Sequence, residues 1–189
     1  MKSIKKINLA LLAFSLFFGI SATAQKMEKT VEVGGAPMYP SKNIVENAVN
    51  SKDHTTLVAA VKAAGLVDVL ISEGPFTVFT PTNAAFDKLP AGTVETLLKP
   101  ENVKLLQTIL TYHVVAGKIN KSDILKAIKK GNGKAMMTTV SGGTLTAWMK
   151  GKDLYITDEN GNSSMITITD VNQKNGVIYV VDTVVLPKS

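Results

Sequence analysis

The apolar pattern of this chain changes period once, and that change limits the fold more than any other feature. From Lys134 onward "KAMMTTV", "GTLTAWMK", "KDLYIT", "SMITITDV" and "GVIYVVDTVVL" alternate apolar with polar residues, the mark of half-buried strands. Gly151-Lys152, Asn160-Gly161 and Asn175-Gly176 fall between them and suit the tight turns of antiparallel neighbours. Upstream, between Ser41 and Gly131, apolar residues recur three and four apart instead. Helices first and a meandering sheet second predict an α+β domain.

The helical half divides at its punctuation. In "SKNIVENAVN" Ser41 is the expected cap of a helix with Ile44, Val45, Ala48 and Val49 on one stripe. A second helix follows Asp53, with Leu57, Val61 and Ala64 on one face. Gly65 can end it in a left-handed conformation before Leu66, Val69 and Leu70 form another short face. "PAGTVETLLKPENVKLLQTILTYHVV" reads as two helices split at Lys99, with Pro100 in the first turn of the second and Val103, Leu106, Ile109 and Leu110 as its stripe. A short helix capped by Ser122 is expected in "AGKINKSDILKAIKKGNG". One strand interrupts the helices: Phe76, Val78 and Thr80 alternate with Thr77 and Phe79, and both faces are apolar enough to be buried.

The N-terminus sets the compartment. Lys2, Lys5 and Lys6 precede "INLALLAFSLFFGI", and "SATAQ" places Ala22 and Ala24 as signal peptidase requires, so residues 1–24 are expected to be a signal peptide. Cleavage after Ala24 of the 189-residue chain leaves 165 residues, enough for one domain burying roughly 70 % of its unfolded surface. The chain has no cysteine, which excludes a lipid-anchoring thiol, disulfides and thiol chemistry together. The expected address is the periplasm, the extracellular space or the cell surface, with no stable membrane insertion after cleavage. Removing the three leader lysines reduces the formal charge from +6 to +3, and one tryptophan among scattered lysines gives no basic, stacking face for nucleic acid. Residues 25–42 lack a sustained period and read as an N-terminal linker.

Candidate chemistry is sparse. In "GPFTVFTPTNAAFDKLP" the cluster Thr80, Pro81, Thr82 and Asn83 reads as a joint: Pro81 ends the strand, Thr82 or Asn83 caps the next helix, and Phe86 returns to the core. His113 reads as a packed histidine and His54 as an exposed one; two distant histidines without cysteine do not supply a zinc site. "KKGNGKAM" lacks the spacing and the hydroxyl of a phosphate loop, and "TDENGNSS" reads as a hairpin turn rather than a calcium loop. No serine sits in a hydrolase-like elbow. No catalytic residue, metal ligand or cofactor is therefore expected. Met136, Met137, Trp148 and Met149 lie on strands, where one of each adjacent pair faces inward and the other can be exposed.

Three stretches together carry a family pattern: "GPFTVFTPTNAAFDKLPAGT", "LLQTILTYHVVAGKI" and the closing "NGVIYVVDTVVLP". In that order, from Asn43 to Pro187, the chain resembles the fasciclin domain, in the form of a secreted, single-domain bacterial β-Ig-H3-like protein. The resemblance implies a β-wedge of mainly antiparallel strands with a helical layer, and a non-enzymatic role in cell adhesion or in matrix or cell-envelope interaction. It also implies binding segments at Tyr112, His113, Asp123, Ile124 and Leu125, although Ser122 intervenes where the animal motif places Asp directly after Asn-Lys. The partner implied is a cell-surface or matrix protein or glycan, with weak self-association. The methionines and Trp148 support an alternative, a carrier or sensor of a small apolar ligand.

Overall fold

The computed structural model describes residues 28–188; the expected signal peptide lies outside them. In chain order the elements are β1 (Val31–Val33), β2 (Ala36–Met38), α1 (Ile44–Ala48), α2 (Thr55–Ala63), α3 (Val67–Ile71), β3 (Phe76–Pro81), α4 (Asn83–Phe86), α5 (Thr93–Leu97), α6 (Val103–Tyr112), β4 (Val114–Ala116) and α7 (Lys121–Lys130). The last third holds β5 (Lys134–Thr138), β6 (Thr144–Lys150), β7 (Asp153–Thr157), β8 (Ser163–Gln173) and β9 (Gly176–Val181).

The strands that alternate in sequence form the expected meander. With β3 and β4 they make a seven-stranded sheet in the order β4-β3-β9-β8-β7-β6-β5, antiparallel throughout except for the parallel β3–β9 pair. The sheet curls until its two edge strands meet: Val115 bridges Thr139, and the Val140 N–H donates to the Val114 carbonyl at 2.7 Å. This contact covers backbone groups that an open edge would present to solvent.

The curl gives the sheet an inside, filled by Phe79, Leu145, Ile156, Val177, Tyr179 and Val181 among others, with Ile124 and Ile128 of α7 packed against them. A second apolar cluster lies among α2, α4, α5 and α6, around Leu57, Phe86, Leu106 and Leu110. A third lies on the outer side of β3 and β9, where Val78, Ile178 and Val180 meet Val33, Met38 and Ile44. Burial on both faces, read for β3 from its composition, holds for β9 as well.

Four readings are corrected. Residues 25–42 are not a linker from Val31 onward: Gly34 and Gly35, at φ 58° and 73°, turn β1 back onto β2, and the hairpin buries Val33, Ala36 and Met38. Asn43, not Ser41, caps α1, in a reciprocal box with Glu46. At α7 the cap is Asn120 rather than Ser122, and the Asn120 N–H donates to the Asp123 carboxylate. The end of "TYHVV" leaves the helix to become β4, because Val114 and Val115 pair with β3.

Candidate functional site

The opening cluster of the fourth helix resolves into two joints. Thr82 caps α4, its hydroxyl accepting from the Ala85 N–H at 3.2 Å, while the Thr80 hydroxyl donates to the Tyr179 carbonyl of the neighbouring strand. Asn83 serves a different helix. Its Oδ1 accepts from the Thr56 N–H at 3.0 Å and its Nδ2 donates to the Lys52 carbonyl, which satisfies free groups at the start of α2. Pro81 is the last strand residue and Phe86 is buried in the helical cluster. All five side chains serve the scaffold.

The five residues implied as a binding segment do not form one surface. Tyr112, His113 and Ile124 are 0 %, 3 % and 1 % exposed, so a partner cannot touch them in this conformation. The Tyr112 hydroxyl donates to the Thr144 carbonyl at 2.7 Å and accepts from the Glu159 N–H, and burial pushes its pKa up to about 12. His113 is held at both nitrogens: Nδ1 donates to the Ile109 carbonyl at 2.8 Å, and Nε2 accepts from the Val185 N–H at 3.3 Å. That pairing fixes the neutral tautomer, and burial lowers its pKa to about 4. An imidazole with both nitrogens committed has no lone pair left for proton transfer. Only Asp123 and Leu125, on the exposed side of α7, remain accessible, and the Asp123 carboxylate accepts from the N–H of the cap residue Asn120 and faces Lys126 at 3.5 Å.

The sequence reading missed a clasp around this pair. Asp158, buried in the β7–β8 turn, accepts from the Asn160 and Asn162 N–H groups through Oδ1 and from the Leu186 N–H through Oδ2. Asn160 Nδ2 donates to the Leu186 carbonyl. With His113 on Val185 and Tyr112 on Glu159, the turn, the end of α6 and the C-terminal segment are stitched together by charge-assisted and neutral hydrogen bonds. The "TDENGNSS" segment is thus a turn whose carboxylate is fully engaged. Among the described residues no three histidine, aspartate or glutamate side chains are grouped to hold a metal.

His54 departs from its expected exposure. It is buried, its Nδ1 lies 2.9 Å from the Ser51 hydroxyl, and its Nε2 has no hydrogen-bond partner among the described residues. Burial lowers its pKa. His54 lines a cavity of about 10 Å³ together with Val33, Met38 and Thr80, the size of one water.

Two accessible features remain. On the outer face of β5–β7, cross-strand pairing sets Lys134, Trp148 and Tyr155 in one row and Met136, Thr146 and Thr157 in the next. The Trp148 and Tyr155 rings stack with centroids 5.0 Å apart, and the indole N–H donates to Thr157 at 2.8 Å, so the tryptophan is held in place. Met136 is 77 % exposed, whereas its neighbour Met137 is buried. On the opposite, helical side an apolar cleft of about 100 Å³ opens between α1, α2 and α3 and the β3–β4 edge, with Val69 and Val140 at its mouth.

Comparison with known proteins agrees with this geometry. The family model described as the Fasciclin domain matches residues 52–187. Protein sll1483 of Synechocystis sp. is 43 % identical over 94 % of this chain and 93 % of its own length. The cell surface glycolipoprotein MPB83 of Mycobacterium bovis is 37 % identical over 74 % of this chain and 58 % of its own. In fold, the chain is similar to the FAS1 domain pair of the insect cell adhesion molecule Fasciclin I, with a TM-score of 0.68 over 85 % of this chain and 58 % of that one, at 16 % identity.

Proposed function

The chain belongs to the fasciclin domain family, and on that footing we propose that it is an exported, non-enzymatic binding module acting at a cell surface or matrix. Its partner is a surface or matrix protein or glycan, and its site of action lies outside the cytoplasm. The observation that carries the reading is the outer face of β5–β7: an exposed methionine, an anchored aromatic stack and Lys134 side by side on a rigid sheet. Aromatic and methionine side chains flanked by a cation supply contact area at low entropic cost. That Fasciclin I is a cell adhesion molecule and MPB83 a cell surface glycolipoprotein supports the assignment.

The test is binding of the purified chain to intact cells, envelope polysaccharides and matrix proteins, with Met136→Glu, Lys134→Glu and Asp123→Ala beside it. Saturable binding that the two sheet variants weaken at least about tenfold, with Asp123→Ala unchanged, supports the reading. Saturable catalytic turnover, or binding indifferent to both sheet variants, overturns it. A second reading, a carrier of a small apolar ligand, draws its support from the helical-side cleft and not from the methionines, of which Met136 is exposed on the outer face while Met137 and Met149 pack into the core.

A further inference from the structure

Within that second reading, on which this inference rests, we propose that the cleft takes the alkyl end of a single-chain fatty carboxylate, with Lys62 receiving the carboxylate. The walls are largely apolar: Ile44, Val58, Val61, Leu70, Leu110 and Val114 converge from four helices and the edge strand, with Phe76 and Phe79 of β3 beside them. Such a lining rewards burial of hydrocarbon and offers little to a polar ligand. Size narrows the class. A volume of about 100 Å³ is less than the roughly 150 Å³ of a cavity that admits benzene, so it suits a slender unbranched chain end better than a ring. The mouth is open, with Val69 and Val140 each 49 % exposed, so the rest of a longer chain can extend outward.

Charge fixes the head. Lys62 lines the cleft from the last turn of α2, is exposed, and makes no ion pair among the described residues. An ammonium beside an apolar opening complements an amphiphile with a negative head and an apolar tail. A fatty carboxylate has this layout, and an alcohol of the same length lacks only the charge.

Titration calorimetry of the purified chain with hexanoate, octanoate and decanoate below their micellar concentrations, and with octanol, tests this. Affinity should rise about fourfold per added methylene until the cleft is filled and then level off. Lys62→Glu should weaken octanoate about five- to tenfold and leave octanol unchanged. Val58→Trp, checked for an unchanged melting temperature, should abolish both; Val69→Trp at the mouth gives the same test if Val58→Trp does not fold. Equal binding of octanol and octanoate, untouched by Lys62→Glu, overturns the carboxylate proposal and leaves the apolar-carrier reading standing. No saturable heat with any ligand overturns both. A dimer in sedimentation that Val69→Glu dissociates, without ligand heat, shows a second copy covering the cleft and also overturns the proposal.

Discussion

Tyr112 and Trp148 are both aromatic residues with a single polar atom anchored by a short hydrogen bond, and they lie on opposite faces of one curled sheet. Tyr112 is fully buried, held against the Thr144 carbonyl and the Glu159 N–H. Trp148 stands on the outer face beside Tyr155, its indole tied to Thr157 and its surroundings open. The same chemistry therefore does two jobs. Inside, the hydrogen bond satisfies a polar atom that burial would otherwise penalise; outside, it holds an apolar surface ready for contact at little further entropic cost. A sequence motif that looks recognisable can thus be scaffold, while the surface proposed for contact carries no motif.

Substitutions at these two positions give the largest expected difference. Tyr112→Ala should cost about 3–5 kcal/mol, through lost packing and two unpaired groups. Trp148→Ala should cost about 1–2 kcal/mol, because the ring is only half-buried. Urea denaturation with an unchanged m-value reads both; equal costs would break the comparison.

Acid sharpens it next. His113 and His54 have folded pKa values below the ordinary 6.5, so the fold holds them neutral while the unfolded chain takes up protons. Their stabilisation is complete above about pH 6.5 and declines as pH falls. For His113 the loss should reach about 3 kcal/mol by pH 4, with a slope of up to about 1.4 kcal/mol per pH unit. Asp182 has its pKa lowered even though burial opposes this, because Met165, Thr183 and Lys88 hydrogen-bond its carboxylate; its contribution disappears only below the ordinary carboxylate range. Between pH 6.5 and 4, His113→Gln should therefore flatten the stability profile. A slope equal to that of the natural chain would contradict the buried, neutral assignment.

At Gly143 an added methyl group would come within 2.6 Å of the Tyr112 ring, so Gly143→Ala should cost about 1–3 kcal/mol by crowding it. Thr82→Ala, which removes only the cap of α4, should cost about 1 kcal/mol. The smallest effect belongs to the outer face: Met136→Glu should shift stability by less than about 0.5 kcal/mol. Thermal melts rank the three, and the reverse order would mean that the outer face is part of the core.

The strands from Lys134 onward were legible because each presents one face to the core and one to water, which imprints a period of two on the residues. What alternation did not signal in that half are two shifts in the β8–β9 register, between Ile166 and Ile168 and between Ile168 and Val171, the second at Asp170 with φ 56°. Helix ends were less legible. Asn43 and Asn120 win over Ser41 and Ser122 because a partner three residues on, Glu46 or Asp123, returns the bond, and the serines flank the true start. The β1–β2 hairpin and the burial of His54 were invisible because both depend on contacts with strands more than a hundred residues away, Val171 and Ile178. The outer face was half legible: two adjacent methionines implied that one points out, but its row partners Lys134, Trp148 and Tyr155 come together only through the register. The cleft had no local signal, since its walls come from six separate elements, α1, α2, α3, β3, α6 and β4.

Tyr112 supports the fold, and the outer face is the surface proposed for contact. The most direct test pairs Tyr112→Phe with Met136→Glu, measuring stability and cell binding of each at a temperature where both are folded. Tyr112→Phe should lose about 1–2 kcal/mol of stability and keep full binding, whereas Met136→Glu should keep its stability and lose binding. Loss of binding by a folded Tyr112→Phe, with Met136→Glu binding normally, would contradict this assignment.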